Sequence, residues 1–185
     1  MNPSSNLFIV GATGAGKTSI GRALAAHYGL AFIDLDQEIE SHTGVDVGMV
    51  FEIEGEAGFR QRESALLDAR SGRAGVVMAT GAGAVLAPVN RQRLAARGFV
   101  VWLQTSVEQQ LQRLQRDERR PLLAGVDRAE RLHAMALERT PLYAQVADLV
   151  VPGASGGVAA ACMRCVGLID QHWQRLPAPA AQASS

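Results

Sequence analysis

The chain has 185 residues, of which 48% are hydrophobic and 19% charged, and its basic and acidic side chains balance at a formal net charge of zero. This composition predicts one soluble globular domain with a real core and excludes a largely disordered chain. It provides no basic surface for nucleic acid or a membrane, no apolar run near the roughly 18 residues of a membrane span, and no signal peptide in the N-terminal letters MNPSSN. We therefore expect a monomeric cytoplasmic protein of enzyme size, without a nucleic-acid or membrane partner.

Five short strand-like runs alternate with helical patterns along the chain. The predicted strands are 7–10, 30–34, 75–80, 98–104 and 147–151, and the predicted helices are 17–28, 57–70, 90–97, 106–116 and 127–143. Apolar strands that alternate with amphipathic helices indicate an α/β fold whose parallel sheet is covered on both faces. Such sheets bind ligands beyond the carboxyl ends of their strands, and the unusual residues of this chain cluster there.

Three segments of the chain have a different character. Residues 117–126 (DERRPLLAGV) carry charge, proline and glycine between two predicted helices, which suits a mobile flap, and residues 176–185 (LPAPAAQASS) predict a disordered tail. Cys162 and Cys165 form a CxxC pair, which redox proteins and zinc sites also use. Because the pair lies in an apolar stretch with helical spacing, we interpret it as two small core residues of a reduced protein.

The first predicted strand runs into a glycine-rich loop, residues 11–18, with the letters GATGAGKT. The loop matches the phosphate-binding pattern GxxxxGK[ST] and has the expected context, an apolar strand before it and an amphipathic helix after it. Its amides can surround phosphate oxygens, and the Thr18 hydroxyl can be offered to Mg²⁺. Lys17 is the single lysine among 18 basic residues, which indicates that a compact point charge is needed here. A chance glycine-rich turn is the alternative, and we favour nucleoside triphosphate binding.

Two aspartates follow the second predicted strand, in the letters FIDLDQEIE. Asp34 and Asp36 both reach the ligand edge of the sheet, where one could hold Mg²⁺ through water and the other could accept a hydrogen bond from a substrate hydroxyl. The alternative for Asp36 is that it caps the following helix.

Three arginines and a second glycine turn complete the set of candidate residues, and each has an ordinary alternative. Arg60 could form a surface ion pair with glutamates on its own helix. Gly81-Ala82-Gly83 could be a simple tight turn. Arg120, in the flap, could stabilise a transferring phosphoryl group or be a solvated charge. Arg139 could cap a helix end near Pro141.

Together these residues resemble the shikimate kinase family. The points of resemblance are the loop at 11–18, Asp34-Leu-Asp36, Phe59-Arg60-x-x-Glu63, the turn at 81–83, Arg120-Pro-Leu-Leu123 and Arg139-x-Pro-Leu-Tyr143 followed by Ala147-Asp148. They occur in the order and at the spacing of the family, over roughly residues 5–151. The resemblance implies a P-loop NTPase fold of the nucleoside-monophosphate-kinase type, with a five-stranded parallel sheet flanked by helices. It also implies one kinase domain over residues 1–175, with a substrate-binding segment at about 36–64 and a lid at about 113–126, before the tail at 176–185.

The activity implied by the resemblance is transfer of the γ-phosphate of ATP to the 3-hydroxyl of shikimate, in aromatic amino-acid biosynthesis, with Mg²⁺ as cofactor. Lys17, Asp36 and Arg120 would be catalytic, Thr18 would serve the metal directly and Asp34 would serve it through water. The shikimate site would contain Asp36, Arg60, Gly81, Ala82, Gly83 and Arg139, with the two arginines gripping the carboxylate. The ATP site would contain Gly11, Gly14, Ala15, Gly16, Lys17, Thr18, Ser19, Arg113 and Arg120.

Two departures from the family pattern affect these expectations. Ala82 replaces a glycine, which would strain the backbone if the position needs a positive φ. If only the N–H of this residue is used, alanine supplies it equally well, and we favour this second case. The stretch after the last strand, PGASGG at 152–157, offers only backbone contacts to a nucleotide base. Two other functions stay open at this point, a gluconate-type small-molecule kinase of the same fold and a nucleotide-binding module that has lost catalysis.

Overall fold

A five-stranded parallel sheet forms the centre of the fold in the computed structural model, which describes residues 3–114, 127–153 and 157–177. The strands are β1 (Leu7–Val10), β2 (Ala31–Asp34), β3 (Val76–Ala79), β4 (Phe99–Leu103) and β5 (Leu149–Val151), and they lie in the order β2-β3-β1-β4-β5. All four neighbouring pairs are parallel. The α/β fold class and the five predicted strands are therefore confirmed.

Seven α-helices surround the sheet in the described part of the chain. They are α1 (Lys17–Tyr28), α2 (Leu35–Thr43), α3 (Val47–Ser71), α4 (Pro88–Arg97), α5 (Val107–Leu114), α6 (Arg128–Val146) and α7 (Val158–His172), with a short 3-10 helix at Ala84–Leu86. The list of predicted helices omitted α2, which was implied only where Asp36 was considered as a cap, and it omitted the first turns of α3 before residue 57. Gly55 interrupts α3 with a φ of 69°, so its first turns form a separate helical piece next to α2.

The two faces of the sheet build two separate parts of the core. Side chains alternate along a strand, so in β1 Leu7 and Ile9 pack with Leu24 of α1 and Ile169 of α7 on one face. Phe8 and Val10 point to the other face and pack with α3, α4 and α6. Because both faces are covered, the open edge formed by the carboxyl ends of the strands is left for ligands.

Asn6 ties three chain segments together at the amino-terminal edge of the sheet. Its side-chain amide donates to the carbonyl oxygens of Arg73 and Arg97, at 2.6 and 3.1 Å, and its Oδ1 accepts from the Val76 N–H at 3.2 Å. The side chain is buried, so loss of these bonds would leave buried backbone N–H and C=O groups without hydrogen-bond partners.

We expect Asn6→Ala to lower the free energy of unfolding by about 2–3 kcal/mol, because several buried hydrogen bonds disappear at once. The site edge lies at the other end of the strands, so activity per folded molecule should stay unchanged. Urea unfolding with an activity assay on the same samples measures both quantities. Gln171→Ala, at an exposed position of α7, is the matched control and should change stability by less than about 0.5 kcal/mol.

The cysteine pair lies on α7, as the sequence predicted, and both thiols are free. Cys165 is buried, and burial raises the pKa of its thiol to about 11.

The part of the chain that the structure describes contains no group of three or more His, Cys, Asp and Glu side chains placed to hold a metal ion. Within the same residues, no helix combines the length and apolar character that crossing a membrane requires.

Candidate active site

The loop after β1 has the backbone of an anion-binding loop. Gly11 has a φ of 144°, and a Cβ there would lie 2.6 Å from the Leu103 carbonyl oxygen, so no larger residue fits. Gly16 has a φ of 88° and begins α1 without a side-chain cap. The first turn of α1 also contains no acidic residue, which leaves its N–H groups and the positive end of the helix dipole available to an anion.

Lys17 places its ammonium group over this loop. Its Nζ donates to the carbonyl oxygens of Gly11 and Ala12, at 2.8 and 2.9 Å. The side chain is half-buried, so the charge is held beside the amides of the loop and still borders the cleft. This is the position from which a lysine can contact phosphate oxygens bound by the loop.

Thr18 and Asp34 form the next contact along the site. The Thr18 hydroxyl donates to Asp34 Oδ2 at 2.6 Å, while Asp34 Oδ1 accepts from the backbone N–H groups of Asp36 and Gln37. Asp34 is therefore the N-cap of α2, the role that the sequence offered as an alternative for Asp36. A hydroxyl and a carboxylate held side by side are the oxygen ligands that Mg²⁺ prefers.

A cavity of about 260 Å³ opens beside the phosphate-binding loop. Gly14, Ala15, Gly16 and Ser19 line it on one side, and Arg113, whose Nη1 donates to the Gly14 carbonyl at 2.9 Å, lies at its rim. Residues of α7 line the opposite wall, among them Arg164. Arg164 was not predicted as a site residue, because the apolar pattern around it was interpreted as part of the core. Its spacing from Gly157 and Ala161 places the three on one helix face, which is the signal that could have found it.

The turn at 81–83 lies at the centre of a second group of charged side chains. A Cβ added to Gly81 would overlap Glu63 Oε1 and lie 3.0 Å from Asp36 Oδ1, and a Cβ added to Gly83 would overlap the Arg60 guanidinium. A side chain at either glycine would therefore have to displace one of these charged groups. Within the described ranges, glycines alone have a positive φ, so Ala82 fits the turn without backbone strain.

Arg60 forms ion pairs with glutamates of its own helix, as the alternative interpretation expected, but the stronger pair is buried. Its Nη1 lies 2.7 Å from Glu63 Oε2, and its Nη2 lies 3.2 Å from Glu56 Oε1. Glu63 is fully buried. Burial raises the pKa of the Glu63 carboxyl, and the nearby Asp36 raises it further, while Arg60 and Arg139 act in the opposite direction. The burial of Glu63 was not predicted.

Arg139 approaches the same group from α6. It lies inside that helix, which continues to Val146, so it is not the end cap considered from the sequence. The residue is 6% exposed, and its Nε has no hydrogen-bond partner among the described residues. Its positive charge acts to lower the pKa of both the Glu63 carboxyl and the Tyr143 hydroxyl. Two guanidinium groups from α3 and α6 and the Asp36 carboxylate therefore surround one small space.

A second cavity, of about 310 Å³, lies between the phosphate-binding loop and α6. Ala12 and Thr13 of the phosphate-binding loop line one end, and Arg139 and Tyr143 line the other. The predicted site residues in the described part of the chain thus meet at one edge of the sheet. Arg120 and residues 115–126 of the predicted lid lie outside the described residues, as do residues 178–185 of the predicted tail.

Comparison with known proteins gives a consistent result over most of the chain. A family model described as shikimate kinase matches residues 13–167. A shikimate kinase of Halorhodospira halophila is 52% identical over 162 residues, which cover 88% of this chain and 92% of the relative. A solved shikimate kinase of Acinetobacter baumannii, in complex with shikimate, has a TM-score of 0.88 and 42% identity, covering 91% of this chain and 94% of its own.

One comparison bears on the gluconate-kinase alternative. A solved gluconokinase of Sinorhizobium meliloti covers 93% of this chain and 95% of its own, but with a TM-score of 0.56 and 16% identity. At that identity the likeness extends to the fold alone. The comparisons therefore do not favour a gluconate-type kinase.

Proposed function

Because the chain belongs to the shikimate kinase family, we propose that its residues divide between the two ends of the cleft, with ATP at residues 11–18 and shikimate at the turn of residues 81–83. The protein is an ATP-dependent kinase that acts on shikimate. It forms shikimate 3-phosphate and ADP in aromatic amino-acid biosynthesis. The observation that carries the residue roles is the meeting of the phosphate-binding loop, Asp36, Arg60 and Arg139 at one edge of the sheet.

The nucleotide binds with its phosphates in the loop and its base toward α7. The loop amides, including that of Ala15, and the amide of Ser19 in the first turn of α1 surround the phosphate oxygens. Lys17 exchanges its bonds to the Gly11 and Ala12 carbonyls for bonds to phosphate. The cavity lined by Arg113 and Arg164 receives the rest of the nucleotide.

The residues present fit the magnesium ion that ATP-using kinases require. Thr18 would hold the ion through its hydroxyl and Asp34 would hold it through water, because these two oxygen ligands are already in contact at 2.6 Å. The bound ion neutralises charge on the phosphate groups. Asp34 also caps α2, which fixes its carboxylate at this place.

Shikimate binds at the other end of the cleft. Arg60 and Arg139 hold its carboxylate, a planar anion that matches planar guanidinium groups. Backbone N–H groups of Gly81, Ala82 and Gly83 bind the ring hydroxyls. The missing Cβ atoms of Gly81 and Gly83 let the Glu63 and Asp36 carboxylates and the Arg60 guanidinium lie close to this turn.

Asp36 orients the 3-hydroxyl and accepts its proton as the new oxygen–phosphorus bond forms and the bond to the ADP oxygen breaks. Arg120 is the lid arginine of this proposal, and it stabilises the negative charge of the transferring phosphoryl group. The remaining catalytic effect is positioning, since the two substrates are held at neighbouring ends of one cleft.

ADP release with a panel of acceptors tests the function. The purified protein is assayed with Mg²⁺ and ATP, together with shikimate, gluconate or no acceptor. We expect turnover with shikimate alone. Turnover with gluconate alone would contradict the assignment in favour of a different kinase, and ATP binding without turnover on any acceptor would point to a binding module.

Arg164 provides a separate test of the nucleotide end of the cleft. We expect Arg164→Ala to raise the KM for ATP about fivefold and to leave the KM for shikimate unchanged, since it removes one charged group from the wall of the nucleotide cavity. Arg175→Ala, also close to α7 but exposed and stacked near Tyr28 and Trp173, is the control. Equal effects of both variants on the KM for ATP would reject the role of Arg164.

We also propose that the enzyme works as a cytoplasmic monomer with a single kinase domain over residues 1–175, in which residues 113–126 act as the lid. Light scattering on the purified protein, with and without ADP and shikimate, measures the oligomeric state.

A further inference from the structure

We propose that Tyr143 is a positioning residue of the shikimate site, whose hydroxyl holds the Ala82 carbonyl and thereby aims the N–H groups of the turn at the substrate. The inference rests on the proposed role of the turn at 81–83. It assigns a function to a side chain that the sequence singled out only as part of a motif.

The contact itself is short and protected from water. The Tyr143 hydroxyl donates to the Ala82 carbonyl oxygen at 2.5 Å, and the residue is 3% exposed. Its ring packs on Trp102 of β4, with 5.8 Å between ring centroids. Burial raises the pKa of the Tyr143 hydroxyl, so the hydroxyl stays protonated and can donate throughout the working pH range of an enzyme.

Because a peptide unit is planar, this contact also fixes the direction of an N–H group that binds the substrate. The Ala82 carbonyl and the Gly83 N–H belong to the same rigid peptide plane and point in opposite directions. A hydroxyl that fixes the carbonyl on the Tyr143 side therefore directs the Gly83 N–H away from α6. Gly83 also packs against the Arg60 guanidinium, and Gly81 packs against the Glu63 and Asp36 carboxylates, so a rotation of this plane would disturb three groups of the shikimate site.

Few other bonds to the turn are found among the described residues. The backbone bonds given for it there are those of the following 3-10 turn, from the Ala84 N–H to Gly81 O at 3.2 Å and from the Leu86 N–H to Gly83 O at 3.0 Å. Neither involves the peptide plane between Ala82 and Gly83. The bond from Tyr143 comes from a distant helix and acts directly on that plane.

The same helix also carries one of the arginines of the carboxylate clamp. Arg139 and Tyr143 are four residues apart in α6 and so lie on one face of it. The hydroxyl bond therefore sets the distance between the helix that holds the shikimate carboxylate and the turn that holds the hydroxyls. A shift of α6 would change both ends of the acceptor site together.

Tyr143→Phe tests the proposal with a matched control. The chain has two tyrosines, and the other, Tyr28, donates its hydroxyl to Asp170 at 2.9 Å in an exposed pair between α1 and α7. We expect Tyr143→Phe to raise the KM for shikimate about five- to tenfold, with the KM for ATP within twofold of the wild type, because one buried hydrogen bond to the turn is lost. Tyr28→Phe should leave both constants within twofold. A folded Tyr143→Phe protein with an unchanged KM for shikimate, or with equal increases in both constants, would overturn the proposal.

A double-mutant cycle with Ala82→Gly separates positioning from a general loss of packing. Glycine at 82 makes the turn more flexible, so its effect on the KM for shikimate should be larger in the Tyr143→Phe background than in the wild type. Purely additive effects would overturn the proposal.

A measurement on the unmutated side chain covers the case in which Tyr143→Phe fails to fold. Protein labelled with 3-fluorotyrosine gives two fluorine resonances, which Tyr28→Phe assigns. Shikimate should shift the resonance of Tyr143 and leave that of Tyr28 in place. An unmoved Tyr143 resonance at saturating shikimate would overturn the proposal. The proposed roles in the shikimate site fail by a different result, wild-type shikimate kinetics in an Arg60→Leu protein.

Discussion

Replacing Lys17 by Met is expected to lower kcat/KM on the order of a thousandfold while the protein stays folded. The ammonium group is the one compact cation at the phosphate-binding loop, and a methionine of similar length supplies no charge to the transferring phosphoryl group. The fold should survive because the bonds that are lost run to two loop carbonyls, of Gly11 and Ala12, beside an open cleft. ADP release with shikimate measures the activity, and thermal unfolding measures the stability.

Two further variants show whether charge alone accounts for the effect. Lys17→Arg keeps the charge but replaces a point by a planar fork, and we expect it to stay at least about a hundredfold below the wild type, because the loop holds the ammonium between two carbonyls 2.8 and 2.9 Å away. Arg22→Met removes an exposed cation from the same helix, where it stacks over Phe32, and should leave kcat/KM within twofold. Near wild-type activity in Lys17→Met would contradict the phosphate-binding role.

The sequence predicted this part of the molecule well because local constraints decide it. A strand, a glycine loop and a helix in direct succession leave little freedom for Gly11 or Gly16, each of which has a backbone conformation that other residues rarely adopt. The position of Lys17 at the end of this loop is predicted by the same local pattern. The strand order places the loop in the middle of the sheet, after β1 and between β3 and β4, a placement that was not predicted.

Other features depend on contacts between distant segments, which the sequence does not encode locally. The turn at 81–83 could have needed its glycines for backbone conformation or for space, and the structure decides for space, through the side chains of Arg60, Asp36 and Glu63. Glu63 looks like any surface helix residue in the sequence, yet it is fully buried. The predicted helix 57–70 matches the part of α3 after Gly55, whereas the helical piece before the non-helical Gly55 was not predicted.

Replacing Arg60, the partner of the buried Glu63, is the second change with a large expected effect. It should affect both the KM for shikimate and the free energy of unfolding. We expect Arg60→Leu to raise the KM for shikimate about 30- to 100-fold, because a charge-assisted bond to the substrate carboxylate is lost. The same change leaves the Glu63 carboxylate buried without its partner, which should lower the free energy of unfolding by about 3 kcal/mol or more near pH 8.

The loss of stability in Arg60→Leu should depend on pH in a defined direction. Burial raises the pKa of Glu63 in the folded protein above the ordinary value of a glutamate, and Arg60 opposes that rise. Without Arg60 the folded pKa rises further above the unfolded one. A carboxyl of this kind stabilises the fold below its unfolded pKa and loses that contribution as the pH rises through its folded pKa. The deficit of Arg60→Leu relative to the wild type should therefore grow between pH 5 and pH 8.

Two companion variants separate the structural effect from the binding effect. Arg62→Leu breaks an ion pair of the same helix, with Glu54, that is bidentate but exposed, and should cost less than about 1 kcal/mol with unchanged shikimate kinetics. The double variant Arg60→Leu/Glu63→Gln removes the buried charge as well. It should recover much of the stability and lose its pH dependence, while the KM for shikimate stays high because the carboxylate of the substrate still lacks Arg60. Recovery of shikimate binding in the double variant would mean that Arg60 acts only by neutralising Glu63 and does not itself grip the substrate.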